Sequence, residues 1–384
     1  MAACNQQAVY LSVNRAGVIL VRVRFDDQIF TTQRRGGVSR YFVELIREFN
    51  ESPELGVQPQ LGWRWSRNAH ALEAGLGRPL RVPGGSRGHI LRWANRAINL
   101  RQPDADIMHH TYYRAGYLSR RSTPPMVVTV YDMTPELFPC LFPKGSPHLR
   151  KREYVGRATV VLCISESTRR DLLSLYGSVE APTIVTHLGV SDRFAPGALR
   201  PSWCPDRYVL FLGNRGGYKD FRVAIESFAE VAPGQRGAAL VAVGGGTFTA
   251  DEEGLISRWG LRDHVFQRNA SDEELPGVLG GARAFVFPSR YEGFGLPTLE
   301  AMACGTPTVL ADSSSHPEVG GDAALYFPPG DCSALAAQLS RLLSDDAFRR
   351  DLSEKGIARA RRFTWRRTAE VTADAYRMAA AARR

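Results

Sequence analysis

Two glutamates, Glu292 and Glu300, flank a glycine turn in the run Phe287-Pro-Ser-Arg-Tyr-Glu-Gly-Phe-Gly-Leu-Pro-Thr-Leu-Glu300. Ala284 to Phe287 is a short apolar run of strand type, and Leu296 to Cys304 has helical composition, with Pro297 tolerated in a first turn. Gly293 and Gly295 let the backbone approach a ligand closely, and the free amides and dipole of the following helix favour an anion, most naturally phosphate. A carboxylate beside such a site suits neutral hydroxyls instead. A nucleotide attached to a polyhydroxyl group meets both requirements, which describes a sugar nucleotide. Either glutamate taken alone is equally well read as a solvated surface residue.

A second basic loop, Gly213-Asn-Arg-Gly-Gly-Tyr-Lys-Asp220, follows the apolar run Tyr208 to Leu212. Arg215 offers a planar fork and Lys219 a point charge, a combination that stabilises negative charge on a departing diphosphate. An exposed glycine-rich turn has the same composition. In the first half, Gln33-Arg-Arg-Gly-Gly37 leads into a helix near Val38, so Gly36 and Gly37 lie at a cleft edge or in a plain turn. Val127-Val-Thr-Val-Tyr-Asp132 and Ile107-Met-His-His110 end two further strands, leaving Tyr131, Asp132, His109 and His110 as candidates for the same cleft or for structural roles. Ser165-Glu-Ser-Thr168 reads as a helix cap, and Glu318 in Ser-His-Pro-Glu-Val is open to a cap or a ligand role. Asp104-Ala-Asp106 spells a metal-binding Asp-x-Asp, but Pro-Asp turns before strands are ordinary and it is given little weight.

These residues need a scaffold of repeated strands and helices. Apolar runs at Ile19 to Phe25, near Ile107, at Met126 to Tyr131 and at Thr159 to Ile164 form one series, and Tyr208 to Leu212, Ala239 to Val243, Ala284 to Phe287 and Thr308 to Leu310 a second. Helical patterns fill the gaps, so parallel doubly wound sheets are expected. Residues 195–206 are rich in proline and suit a linker. At 384 residues the chain suits two domains. Six scattered cysteines show no metal spacing and predict no disulfide framework. No run is long enough to span a bilayer and the start lacks signal-peptide character, so a cytoplasmic setting is expected.

Charge is uneven. Residues 1–200 hold 27 Lys+Arg against 16 Asp+Glu, and the rest hold 22 against 23. A basic half attracts anionic lipid, phosphorylated acceptors or nucleic acid, or is simply solvated. Residues 89–101 place Ile90, Leu91, Ala94, Ala97 and Ile98 near one helical face, which suits packing or, alternatively, a membrane surface. No interleaved aromatic motif supports nucleic acid. Lys144, Lys151, Lys219 and Lys355 are the only lysines among the 49 basic residues, which singles each of them out.

From Pro288 to Pro307 the chain resembles the donor-site signature of the retaining glycosyltransferases of family 4, Pro-Ser-x-x-Glu-Gly-Phe-Gly-Leu-Pro-x-x-Glu-Ala-Met-Ala-x-Gly-x-Pro-Val, with Thr308 replacing the last valine. The resemblance implies the GT-B fold, two Rossmann-like α/β domains facing across a cleft. It implies an extension over 1–18, an acceptor domain over 19–197, a nucleotide-sugar domain over 198–362 and a helix over 363–384 that crosses back. It also implies Glu292 on the donor sugar, Glu300 on the ribose, and Arg215, Lys219 and the amides of Gly293, Phe294, Gly295 and Leu296 on the diphosphate. Gly36 and Gly37 would approach from the opposite side, and Asp132 would orient the acceptor. Relatives often carry histidine where Tyr131 stands, and tyrosine does not titrate near neutrality. The implied reaction is retaining hexosyl transfer, with mannose one candidate sugar, without metal or any cofactor beyond the sugar nucleotide. Lipid-linked saccharides of bacterial lipopolysaccharide or surface polysaccharide are the implied acceptors, with peripheral contact to the inner membrane face. A GT-B epimerase would lack the pair of glutamates.

Overall fold

The computed structural model describes residues 20–79, 87–99, 104–118, 124–143, 145–235 and 237–382. The extension expected over 1–18 and Lys144 lie outside them. Eight strands belong to the first half: β1 (Val21–Phe25), β2 (Val57–Leu61), β3 (Trp65–Ser66), β4 (Arg78–Pro79), β5 (Ile107–His110), β6 (Met126–Val130), β7 (Val160–Cys163) and β8 (Thr183–Val185). Six belong to the second: β9 (Arg207–Leu212), β10 (Ala238–Val243), β11 (Val265–Arg268), β12 (Ala284–Phe287), β13 (Thr308–Ala311) and β14 (Ala324–Phe327). They form two six-stranded sheets, ordered β2-β1-β5-β6-β7-β8 and β11-β10-β9-β12-β13-β14, and the short β3-β4 pair. Every pairing is parallel.

Composition explains which strands were legible. β6, β10, β12 and β13 are buried at every position and read as unbroken apolar runs, because helices cover both faces of a parallel sheet. β2 is an edge strand carrying Pro59 between two glutamines, and an edge tolerates the missing amide. β8 is half-buried throughout. Neither edge offers an apolar run, and sequence reading passed over both. In each sheet the order in which strands are added reverses at one point, between β1 and β5 and between β9 and β12. Crevices outside the carboxyl ends of strands at such points are where doubly wound sheets bind ligands.

The last helix, Trp365–Ala381, starts at Thr364, whose Oγ1 accepts the Arg367 amide at 3.1 Å. It returns to the first sheet and buries Ala369, Ala373, Ala375 and Ala379 there, small side chains that allow close approach, together with the large ring of Tyr376. A Cβ on Gly189 would fall 2.1 Å from the Trp365 nitrogen, backbone against backbone. Glu318, on the second-domain helix His316–Gly320, accepts the Glu166 and Ser167 amides at 2.7 and 3.1 Å and lies 2.6 Å from His187 Nε2. It therefore satisfies the start of a first-domain helix, Glu166–Tyr176, whose Ser165 supplies the inner cap to Thr168 at 2.9 Å. Burial alone would raise the Glu318 pKa, but the His187 hydrogen bond and the two amides overrule it and hold it below the usual value.

Gly189→Ala should lower stability by about 1–3 kcal/mol, because neither backbone can yield without lifting the last helix; an unchanged denaturation midpoint would contradict this contact. The depressed Glu318 pKa means that its stabilising contribution is full above the unfolded value and is lost as pH falls through the folded one. Melting curves from about pH 6 to about pH 3 should fall more steeply for the wild type than for Glu318→Gln, and parallel curves would remove Glu318 from the domain contact.

Candidate active site

The loop after β9 and the loop after β12 meet at the switch point of the second sheet. Gly217–Lys219 forms one helical turn, Arg290 donates its amide to the Tyr218 carbonyl at 2.8 Å, and Arg290 Nε reaches Asp220 Oδ2 at 2.7 Å. This brings Lys219 Nζ into an ion pair with Glu292 Oε1, over the Phe287 ring at 5.3 Å. Burial works against the Lys219 charge, and the Glu292 carboxylate outweighs it, so the lysine pKa is raised. Glu292 is itself fixed through its backbone, whose N–H donates to Ser314 Oγ at 2.9 Å and whose carbonyl accepts Ser315 Oγ at 3.0 Å.

The signature run then crosses to the other domain. A Cβ on Gly293 would lie 1.8 Å from the Tyr131 carbonyl oxygen, and the Gly293 carbonyl accepts Ser165 Oγ at 2.6 Å and Thr168 Oγ1 at 3.1 Å. Gly295 caps the helix Leu296–Ala303 at φ +91, a left-handed conformation that favours glycine. Phe294, expected at the donor, turns its ring away from the cleft and packs it between His187 and Phe363, each 5.9 Å distant; only its backbone can face a ligand. Glu300 is 3 % exposed and ion-paired with Arg40 from the Gly37–Glu51 helix of the first domain. Burial pushes the Glu300 pKa up, with Arg40 opposing. Gly36 and Gly37 open that helix, and nothing lies within 4 Å of a Cβ built on Gly37.

Arg215 departs from its expected place at the diphosphate. Its Nε donates to Glu252 at 2.9 Å, Nη1 to the Gly244 carbonyl at 2.6 Å and Nη2 to the Thr247 carbonyl at 2.7 Å. The guanidinium is committed to holding the loop after β10. A cleft of about 1120 Å³ runs along this loop past Arg215 and Lys219 to Leu141 and Phe142 of the first domain. Its lining stops short of Glu292 and Glu300, which their cationic partners cover.

On the first-domain side, Asp132 Oδ1 accepts the Thr134 amide at 2.9 Å, and the Asp132 charge acts on Lys219. Lys151, a residue the sequence marked only as one of four lysines, is 1 % exposed and donates to the Asp132 carbonyl at 2.6 Å and to Glu136 at 2.8 Å. His148 lies 2.9 Å from the Tyr112 hydroxyl, and burial lowers its pKa. No local pattern marks His148, Tyr112 or Arg40; each acquires its place through the fold. Tyr131 is buried, donates to the Thr111 carbonyl at 3.2 Å, and has its pKa pushed up by burial. His109 stands in the core, not the cleft, between Tyr376 Oη at 2.6 Å and Thr129 Oγ1 at 2.9 Å, and burial drives its pKa down to about 3. His110 faces the opposite side of the sheet, 2.5 Å from Asp26. Asp106 is spent on the Arg22 side chain and amide. Among the described residues the one grouping with metal-ligand spacing is His70, Glu73 and Asp272, which no sequence motif marked; its Asp272 also takes an ion pair from Arg35.

Comparison with known proteins agrees with this geometry. Residues 35–194 match Glycosyltransferase Family 4 and residues 204–359 match Glycosyl transferases group 1. The O-antigen chain mannosyltransferase B of Escherichia coli is 28% identical over 293 residues, covering 71% of this chain and 75% of that protein. A D-inositol 3-phosphate glycosyltransferase of Actinosynnema mirum is 32% identical over 299 residues, covering 71% of this chain and 72% of that one. Sucrose-phosphate synthase from Thermosynechococcus elongatus superposes with a TM-score of 0.74 at 22% identity, covering 94% of this chain and 100% of that structure. The superposition shows the same fold of two parallel α/β domains, and the chain belongs to the group 1, family 4 glycosyltransferases of GT-B fold.

Proposed function

We propose that this glycosyltransferase moves a hexose, mannose, from a nucleoside diphosphate sugar to a saccharide hydroxyl with retention at the anomeric carbon, in assembly of a bacterial surface polysaccharide such as lipopolysaccharide. The observation that carries the reading is the meeting of Lys219 and Glu292 at the carboxyl ends of β9 and β12, with Glu300 at the following helix and Asp132 acting on Lys219 from the other domain. The Escherichia coli relative, itself named a mannosyltransferase of an O-antigen chain, supports the choice of sugar and pathway class.

In this mechanism Lys219 exchanges Glu292 for the donor diphosphate, joined by the amides of the 293–296 turn, and Glu292 turns to the hydroxyls of the sugar. Glu300 exchanges Arg40 for the ribose hydroxyls. The bond from the anomeric carbon to the phosphate oxygen breaks and a bond to the acceptor oxygen forms on the same face. The acceptor proton passes to the departing phosphate oxygen, and Lys219 stabilises the charge that remains. Asp132 orients the acceptor, and Arg215 shapes the cleft by holding the Gly244–Thr247 turn. No metal takes part in this scheme. The acceptor is a saccharide on a lipid carrier, and the arginine-rich first domain rests against the anionic inner face of the membrane. Among the described residues no helix is long and apolar enough to cross it.

A thermal-shift panel of GDP-, UDP-, ADP- and dTDP-sugars should give one base-selective rise, about 2.7 kcal/mol of stabilisation at 100 times Kd, abolished by Glu300→Ala. Because that change leaves Arg40 buried without its partner, Glu300→Gln serves as the folded control and should weaken the same shift. No rise with any donor would overturn the donor site. Lys219→Ala should cut kcat by about 10²–10³, and NMR of the product should show the donor's anomeric configuration; an inverted product would refute retention alone.

A further inference from the structure

The first domain repeats the topology that brings Lys219 and Glu292 together, and its own switch point is also hollow. Outside the carboxyl ends of β1 and β5 lies a cavity of about 660 Å³, covered by the helix Arg87–Asn99. Asp26 and Asp27 enter it from β1, His110 from β5, and Arg92 and Arg96 from the helix, with Tyr117 completing the wall. This helix packs against the short Gln28–Thr32 helix and β3, burying Leu91 together with Asn95, whose amide donates to Asp27 Oδ2 at 3.0 Å and to the Trp65 carbonyl at 3.0 Å.

The charges in this cavity are not settled internally. Asp26 is fully engaged, with Gln28 Nε2 at 2.7 Å, Thr111 Oγ1 at 2.6 Å and His110 Nδ1 at 2.5 Å. Asp27 accepts one hydroxyl hydrogen bond, from Tyr117 at 2.7 Å, and burial raises its pKa to about 6. Neither Arg92 nor Arg96 makes a hydrogen bond or ion pair among the described residues. The charges of Arg114 and Arg67 bear on Arg92, with Asp27 the opposing carboxylate. Arg92 makes no ion pair with that carboxylate, and a planar guanidinium fork matches phosphate. Carboxylate and phenol beside it match hydroxyls. At the mouth, Trp93 lines the cavity and is 76 % exposed, a flat apolar surface suited to the face of a sugar ring.

We propose that this cavity binds a phosphorylated saccharide, with its phosphate on Arg92 and Arg96, its hydroxyls on Asp27 and Tyr117, and its ring against Trp93. As the head group of the acceptor, the ligand rests on the glycosyltransferase reading. The same chemistry comes from a soluble sugar phosphate or from the head group of a glycosylated lipid phosphate, and the cavity opens at a helix whose exposed side chains suit either.

The test uses the full chain, titrated with glucose 1-phosphate, with inorganic phosphate, and with phosphatidylinositol in phosphatidylcholine vesicles, in the wild type, Arg92→Gln, Arg96→Gln and Trp93→Ala. Among the described residues Arg92 and Arg96 have no hydrogen-bond or ion-pair partner to lose, so both variants should fold and keep the wild-type thermal shift with the donor nucleotide. The expected result is binding of glucose 1-phosphate at least tenfold weaker in Arg92→Gln and weaker in Trp93→Ala, with inorganic phosphate bound more weakly than the sugar phosphate. Arginine-dependent vesicle binding, competed by glucose 1-phosphate, identifies a lipid head group; its absence alongside glucose 1-phosphate binding identifies a soluble ligand. Equal affinity in wild type and all variants, or no binding of either hydroxylated probe, overturns the proposal. A normal nucleotide shift with no probe binding sinks the cavity alone, whereas probe binding without any nucleotide shift sinks the donor reading alone.

Discussion

Gly293 presses its α-carbon against the Tyr131 carbonyl where even one methyl group has no room, and its own carbonyl takes two hydroxyls from the start of a first-domain helix. That contact sets the relation between the two halves of the molecule at the point where their chemistry must meet. Glu292 precedes it by one residue and Asp132 follows Tyr131 by one, so the backbone contact fixes carboxylates from both domains relative to each other. Glu318 and the returning helix Trp365–Ala381 reinforce the arrangement from two other directions. The glycine is therefore required as much by the packing of domains as by access to a ligand.

Within this arrangement the charged side chains around the signature turn are neutralised by the protein. Lys219 holds Glu292 and Arg40 holds Glu300, both pairs largely shielded from water. A buried charge without a partner is expensive, and each of these ions is compensated within the fold. The Arg40–Glu300 pair also joins the two domains. In the mechanism proposed above, donor binding is an exchange of these partners. Arg215 belongs to a different class. Its fork is saturated by one carboxylate and two carbonyls, and it acts by shaping the loop that a ligand would touch.

The same strand order in both domains makes them comparable position by position. In the second domain the crevice at the switch point collects a lysine and a glutamate from successive loops; in the first it collects two aspartates, a histidine and arginines from an overlying helix. The lining of the first is rich in charge, with the buried Asn95 donating to Asp27 Oδ2 beside it.

Local rules carried much of this protein in its sequence. Fully buried parallel strands show as apolar runs because both faces are covered, the Ser165 cap shows because a hydroxyl is needed where a helix has free amides, and the turn from Gly293 to Leu296 shows because glycine serves there. The resemblance carried by Pro288 to Pro307 extended that reading to the family. Edge strands β2 and β8 escaped because an edge needs no continuous apolar run. What tertiary structure alone decided was which way side chains point and what they meet. His109 and His110 are neighbours in sequence, yet strand alternation sends one into the core beneath Tyr376 and the other to Asp26 on the opposite face. Arg215 has the right type at the right spacing for a ligand, but hydrogen bonds to Glu252 and two carbonyls claim its fork first. Arg40 and Lys151 gain their importance from partners 260 and 15 positions away, because an ion pair depends on distance in space and leaves no periodicity along the chain.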